Sequence, residues 1–122
     1  ASVLGGLFKI PHGVICGTLL SEATRHTIEA LVSMDPNSPA LHKYARAARL
    51  LNPSGASEDP VKGSMDLIAL LTQWTAQLDM PKLGFYGVES EDINRIAIAT
   101  GQKNNPIQLS DKKLSQILQA RI

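Results

Sequence analysis

Aromatic residues are scarce in this sequence: two Phe, two Tyr and one Trp, 4% of 122 residues. Leu, Ile, Val and Ala must therefore fill most of any core. Cysteine is scarcer still. The single one, Cys16, excludes an internal disulfide and suits a reducing compartment, so a cytoplasmic location is expected. Neither sign of charge dominates, with 12 Lys and Arg against 11 Asp and Glu and a net charge of +1. Lys112-Lys113 is the only adjacent basic pair. A nucleic-acid partner, which requires a clustered cationic excess, is not expected. No apolar run reaches the roughly 20 residues that a bilayer span takes, so no membrane association is expected. The start, Ala1 to Gly6, has no basic segment followed by an apolar one and is not a signal peptide. Its apolar, glycine-containing character suggests a segment cut from a longer parent.

The chain has 43% apolar and 19% charged residues, a globular rather than a disordered composition. Its 122 residues fit one domain. A domain of that size buries roughly two-thirds of its unfolded surface, so neither a disulfide nor a structural metal is needed for folding. Periodicity predicts helix almost throughout. A first helix is expected from Pro11 or His12 to about Val32, with Val14, Leu20, Ala23, Ile28 and Leu31 inward. Ser38-Pro39 starts a second, ending near Leu51, with Leu41, Tyr44, Ala45, Ala48 and Leu51 on one face. Ser57-Glu58-Asp59-Pro60 opens a third that carries Val61, Met65, Ile68, Leu71, Trp74 and Leu78 and stops at Met80-Pro81. Residues 82–88 form a connector. Ser90 is expected to cap a fourth helix with Glu91 and Asp92 in its first turn and Ile93, Ile96 and Ala97 inward. Ser110 caps a last one with Leu114, Ile117, Leu118 and Ile122 inward. Short strands at Leu7–Ile10 or Ile107–Leu109 are open alternatives.

Chemistry is concentrated in Gly5-Gly6-Leu7-Phe8-Lys9-Ile10-Pro11-His12-Gly13. Paired glycines permit a tight turn or close backbone approach. Pro-His-Gly at a helix start fixes an imidazole and follows it with a residue that blocks nothing, which suits a ligand for iron or zinc. On these residues alone, a capping or hydrogen-bonding histidine is the commoner case. His26 and His42 stand at no ligand spacing, and neither H-x-x-x-H nor C-x-x-C occurs, so a self-contained metal site is not supported. Cys16 near the helix start reads best as a small buried thiol, with lowering of its pKa by the helix dipole as the alternative. Trp74 reads as core. Ser21-Glu22 near His26 lacks the oxyanion donors and orienting acid of a nucleophilic site. No dinucleotide or phosphate-loop glycine pattern is present.

From Gly5-Gly6 through Pro11-His12-Gly13-Val14 to Leu19-Leu20 the sequence resembles the iron-containing alcohol dehydrogenases, a branch of the dehydroquinate-synthase-like superfamily. Their signature runs Gly-Gly, four residues, Pro-His-Gly, then small and apolar residues ending in Leu-Leu. Leu83-Gly84-Phe85-Tyr86-Gly87-Val88 before Glu91-Asp92-Ile93, and Asn104-Asn105-Pro106 before the last helix, look like later segments of the same family. The resemblance implies an all-α fold, the multi-helix C-terminal domain of that superfamily, spanning 1–122. It implies an N-terminal nucleotide-binding domain, absent from this chain, that binds NAD or NADP. A divalent metal, Fe2+ or in some members Zn2+, would be held by one Asp and three His, with His12 as the last of these ligands. The implied substrates are small alcohols or aldehydes. Two departures stand out. Ile15-Cys16-Gly17 replaces the family's frequent Ala-Asn-Ala, and Ser2 stands where many members carry a proton-transfer His. The second leaves the proton relay open and implies a subfamily with other substrates.

One imidazole cannot hold a catalytic metal, which takes about three protein ligands. The isolated chain is therefore expected to lack dehydrogenase activity and to have only adventitious metal affinity. His12 is expected at the first turn of a helix, facing an open groove whose apolar surface would favour homo-oligomers. The alternative is a stand-alone helical interaction module that kept the fold and lost the chemistry.

Overall fold

Pro11 begins the longest helix. Its ring fixes φ at −56° while ψ stays extended at 135°, so it caps the helix from just outside. Its carbonyl accepts hydrogen bonds from the Val14 and Ile15 N–H groups at 3.0 and 3.2 Å. In this computed structural model, which describes all 122 residues, the helix that follows, α2, runs His12–Met34. Its 23 residues span roughly 35 Å. The other helices are α1 (Ser2–Leu7), α3 (Pro39–Leu51), α4 (Pro60–Gln77), α5 (Ile93–Ala99) and α6 (Asp111–Gln119). Two short 3-10 turns, Leu83–Tyr86 and Ser90–Asp92, lie between α4 and α5. Helix accounts for 68% of the chain and no strand forms, so the all-α expectation holds.

Two packing centres share α2. Its N-terminal half supplies Ile15, flanked by Val14 and Leu19, to a core made with Leu4 of α1, Ile10, Leu83, Val88, Ile93, Ile96, Ala97 and Leu118. Its C-terminal half supplies Ile28 and Leu31 to a second core with Leu41. Helices α3 and α4 pack closely alongside, with Ala48, Leu67 and Leu71 between them. Helix starts follow polar side chains. Ser38 Oγ accepts from the Ala40 N–H (3.2 Å), Asp59 from Lys62 (2.8 Å) and Ser110 from Lys113 (3.3 Å).

Several local expectations fail for identifiable reasons. Gly5-Gly6 makes no tight turn; both lie inside α1, and neither has positive φ. Each glycine costs a helix about 0.5–1 kcal/mol. Burying Leu4 to 2% exposure returns about 1.5–3 kcal/mol, enough to hold one short helix against the core. Leu20, expected inward, is half exposed. The buried face of α2 is instead lined by Thr18, Ser21, Thr24 and Thr27 as well as Ile15, Ile28 and Leu31, so apolar spacing alone misplaces it. Ser21 Oγ and Thr72 Oγ1 pair at 2.8 Å across α2 and α4. Leu51, Met65 and Leu78 are also exposed, and α4 ends at Gln77, three residues before Met80, with Asp79 at φ 47°. Trp74 sits at the surface of α4 rather than in the core.

Ser90 does not cap the fourth helix directly. It lies within the preceding 3-10 turn, whose start is at Glu89, where the Asp92 carboxylate accepts the Glu89 N–H at 3.0 Å. The Ile107–Leu109 segment has no strand partner. The Gln102 side-chain amide takes that part, donating to the Leu109 carbonyl and accepting its N–H, both at 2.7 Å. Phe8–Ile10 is likewise unpaired with any strand.

The α3–α4 contact depends on Gly63. A Cβ there would lie 2.6 Å from the Ser57 carbonyl oxygen and 2.7 Å from Ala45 Cβ, both held by packed backbone. At Gly6 a Cβ would meet nothing within 4 Å. Gly63→Ala should therefore destabilise the fold by about 1–3 kcal/mol, and Gly6→Ala should leave it unchanged or stabilise it by up to about 1 kcal/mol. Denaturant unfolding of the two variants checks this, and equal effects would contradict it.

Candidate functional site

The chain crosses the protein surface at Pro11-His12-Gly13 because it is pinned on both sides. Ile10 and Ile15 are buried in the same core, while Pro11, His12 and Gly13 between them are exposed and Val14 is partly buried. His12 is the first residue of α2. Its ring lies outside the core, and its one polar contact is with Cys16, one helical turn later, at 3.4 Å from Nε2 to Sγ. Cys16 is exposed, not the buried thiol the sequence suggested. Side chains four apart share a helix face, and here that face points outward.

Glycines border the pair. A Cβ at Gly13 would meet nothing within 4 Å, so the surface at Gly13 itself is open. A Cβ at Gly17 would come within 2.6 Å of Met80 Cε, so the Met80 side chain lies over α2 at this point. Arg121 holds that arrangement from the far end of the chain. Its Nε donates to Thr18 Oγ1 (2.9 Å) and its other nitrogen, Nη2, to the Met80 carbonyl (2.7 Å). Nothing in the sequence signalled this brace, because the residues it joins lie 41 and 103 positions from Arg121.

The remaining candidates do not join His12. No group of three or more His, Cys, Asp or Glu side chains stands close enough together to hold a metal ion. His42 is exposed on α3, and Ser2 is exposed on α1. Ser21 bonds to Thr72 rather than to His26. An apolar cavity of about 330 Å³ opens between α1, α2, α5, α6 and the Gly101–Asn105 loop, with Leu4, Leu19, Ile96 and Leu118 in its wall, and His12 does not line it.

A family model described as "Fe-containing alcohol dehydrogenase family, C-terminal" matches residues 1–122. Among solved structures, the chain is similar to a crystal structure of 1,3-propanediol oxidoreductase, with a TM-score of 0.76 and 24% identity. The match covers 99% of this chain and 31% of that one, so the chain spans about a third of the length of the solved protein. No curated protein matches the chain.

His26 belongs to the packing, not to the site. It is 9% exposed, and its buried Nδ1 has no hydrogen-bond partner within the protein. Its Nε2 lies 4.0 Å from Glu22, whose carboxylate also pairs with Arg25. Burial, followed by the charge of Lys113 on α6 and more weakly Arg25, lowers its pKa below 6.5, against the opposing pull of Glu29 and Glu22. The folded state thus binds this proton less readily than the unfolded chain. Stability from the neutral ring is complete above about pH 6.5 and is lost as pH falls from there through the lowered folded value. Unfolding free energies measured between about pH 8 and 5 should show this decline, and His26→Gln should remove that component. A decline of equal size in the variant would contradict the assignment.

Proposed function

The chain belongs to the Fe-containing alcohol dehydrogenase family as its C-terminal, all-helical domain, and we propose that it supplies one metal donor, His12, and a wall of the active-site cleft to a metal-dependent, NAD(P)-linked alcohol dehydrogenase. The observation that carries the reading is the exposed imidazole at the start of α2, anchored by buried neighbours and free of backbone hydrogen bonds. The nucleotide-binding domain and the remaining donors would come from polypeptide outside these 122 residues, in keeping with the 31% of the solved oxidoreductase that the chain covers.

The donor chemistry fits such a site in part. A neutral imidazole is a ligand for iron or zinc, and the exposed His12 ring has Cys16 Sγ, 3.4 Å from Nε2, as its one polar contact. A divalent metal held there would polarise the alcohol oxygen as a Lewis acid. The domain's own part is positional: Ile10 and Ile15 hold the segment that carries the ring, and Gly13 adds no side chain next to it. Arg121 and Met80 firm the wall beyond Gly17. Small alcohols or aldehydes are the substrate class. No helix is long and apolar enough to cross a membrane.

Two assays test the proposal. The chain alone, given Fe(II) or Zn(II), NAD(P) and a range of primary alcohols and diols, should show no turnover, because about three protein ligands are needed. When the domain is joined to a nucleotide-binding domain carrying the other donors, His12→Ala should lower both metal content and kcat/KM by more than about a hundredfold. Full activity and metal content in that variant would reduce the domain to a helical interaction module.

A further inference from the structure

We propose that the cavity between α1, α2, α5, α6 and the Gly101–Asn105 loop is a binding site for a medium-chain monocarboxylate, an unbranched alkyl chain of about eight carbons ending in one negative charge. The inference is independent of the metal reading of His12, which does not line the cavity. Size is the first argument. An apolar cavity of about 150 Å³ holds one benzene ring. At that ratio the volume here, about 330 Å³, holds roughly ten to thirteen heavy atoms, the size range of octanoate and decanoate. Leu4, Leu19, Ile96 and Leu118 bring apolar wall from four separate helices. An alkyl chain seated there removes water from all four at once, which is the driving force for binding.

Charge selects the head group. No Asp or Glu lines the cavity; its charged groups are the Lys103 side chain and the Ala1 amino group, both cationic. Lys103 is exposed and belongs to none of the ion pairs in the protein. The loop that carries it is held by its own neighbours. The Gln102 amide bonds to the Leu109 backbone, and Asn105 donates to the Ile107 carbonyl at 2.6 Å. Asn104 completes the turn at φ 64°, a left-handed conformation that asparagine tolerates better than most residues. Lys103 is thus left free on a fixed loop. A second polar group lies in the wall itself. Thr27 is 4% exposed, lines the cavity, and does not make the bond to the carbonyl four residues earlier that Thr75 and Thr100 make. A ligand oxygen supplies the acceptor that this hydroxyl lacks. A cationic amphiphile of the same length meets repulsion instead, so the site selects an anionic one.

Octanoate is the probe, titrated into the 122-residue chain below its micelle concentration and followed by calorimetry and methyl NMR. One molecule should bind per chain with a Kd of the order of 0.1 mM. The methyl signals of Leu4, Leu19, Ile96 and Leu118 should move, and those of Leu41 and Ile68 in the second packing centre should not. Lys103→Met should weaken octanoate binding by about threefold to fivefold and leave the affinity for 1-octanol unchanged. Ala23→Leu, which fills part of the cavity, should weaken both ligands by about tenfold or more. Circular dichroism checks the fold of each variant. Lys103 is exposed, so its variant tests the head group even if Ala23→Leu unfolds. No binding of octanoate, equal affinity in both variants, or methyl shifts spread over both packing centres overturns the site. Binding that is lost when a nucleotide-binding domain is joined ahead of Ala1 also overturns it, and makes the cavity a seat for neighbouring polypeptide.

Discussion

Two isoleucines determine what this domain presents to its surroundings. Ile10 and Ile15 bracket Pro11-His12-Gly13 and sink into one core with Leu4, Leu83, Val88 and Ile96. Each burial is worth about 1.5–3 kcal/mol, so neither end of the segment can lift without a substantial loss. Pro11 cannot continue a helix upstream at that point, and its fixed φ starts α2 at the next residue. The imidazole is therefore exposed because its neighbours are not. The position of the backbone that carries the ring thus follows from apolar packing on both sides.

The rest of the fold keeps that arrangement rigid. Thr18 and Ser21 sit on the buried side of α2, where their hydroxyls bond to Arg121 and Thr72. Small hydroxyl side chains let helices approach closely while still satisfying their own polar groups. Arg121 closes the circuit by binding the Met80 carbonyl, which fixes the chain beside Gly17. The α3–α4 pair lies farther along α2 and serves as a platform. Its closeness is set by Gly63 against Ala45, and its N-caps set where each helix begins.

Much of this was legible in the sequence. Ser38-Pro39 and Ser110 mark helix starts by local chemistry, and the structure has them there. Pro-His-Gly identified both the family and the residue placed at the helix start. Where reading failed, tertiary terms outweighed local ones. Gly5-Gly6 looked like a turn because the benefit of burying Leu4 cannot be seen from its neighbours. Leu20 looked buried because a helix face half made of threonine and serine gives a misleading apolar phase. Cys16 looked buried because free cysteines usually are, whereas the His12 face turns it outward. Neither the Arg121 brace nor the way Gln102 stands in for a strand partner leaves a local mark at all.

Histidine-selective NMR during zinc(II) addition addresses the central claim most directly, since the three imidazoles occupy unlike surroundings: one at the start of α2, one buried and one exposed on α3. The account predicts that the His12 ring resonances move first and that those of His26 stay in place. Early movement of His26 or His42 with His12 unmoved would contradict it, and would leave the exposed imidazole as a product of folding with no part in binding metal.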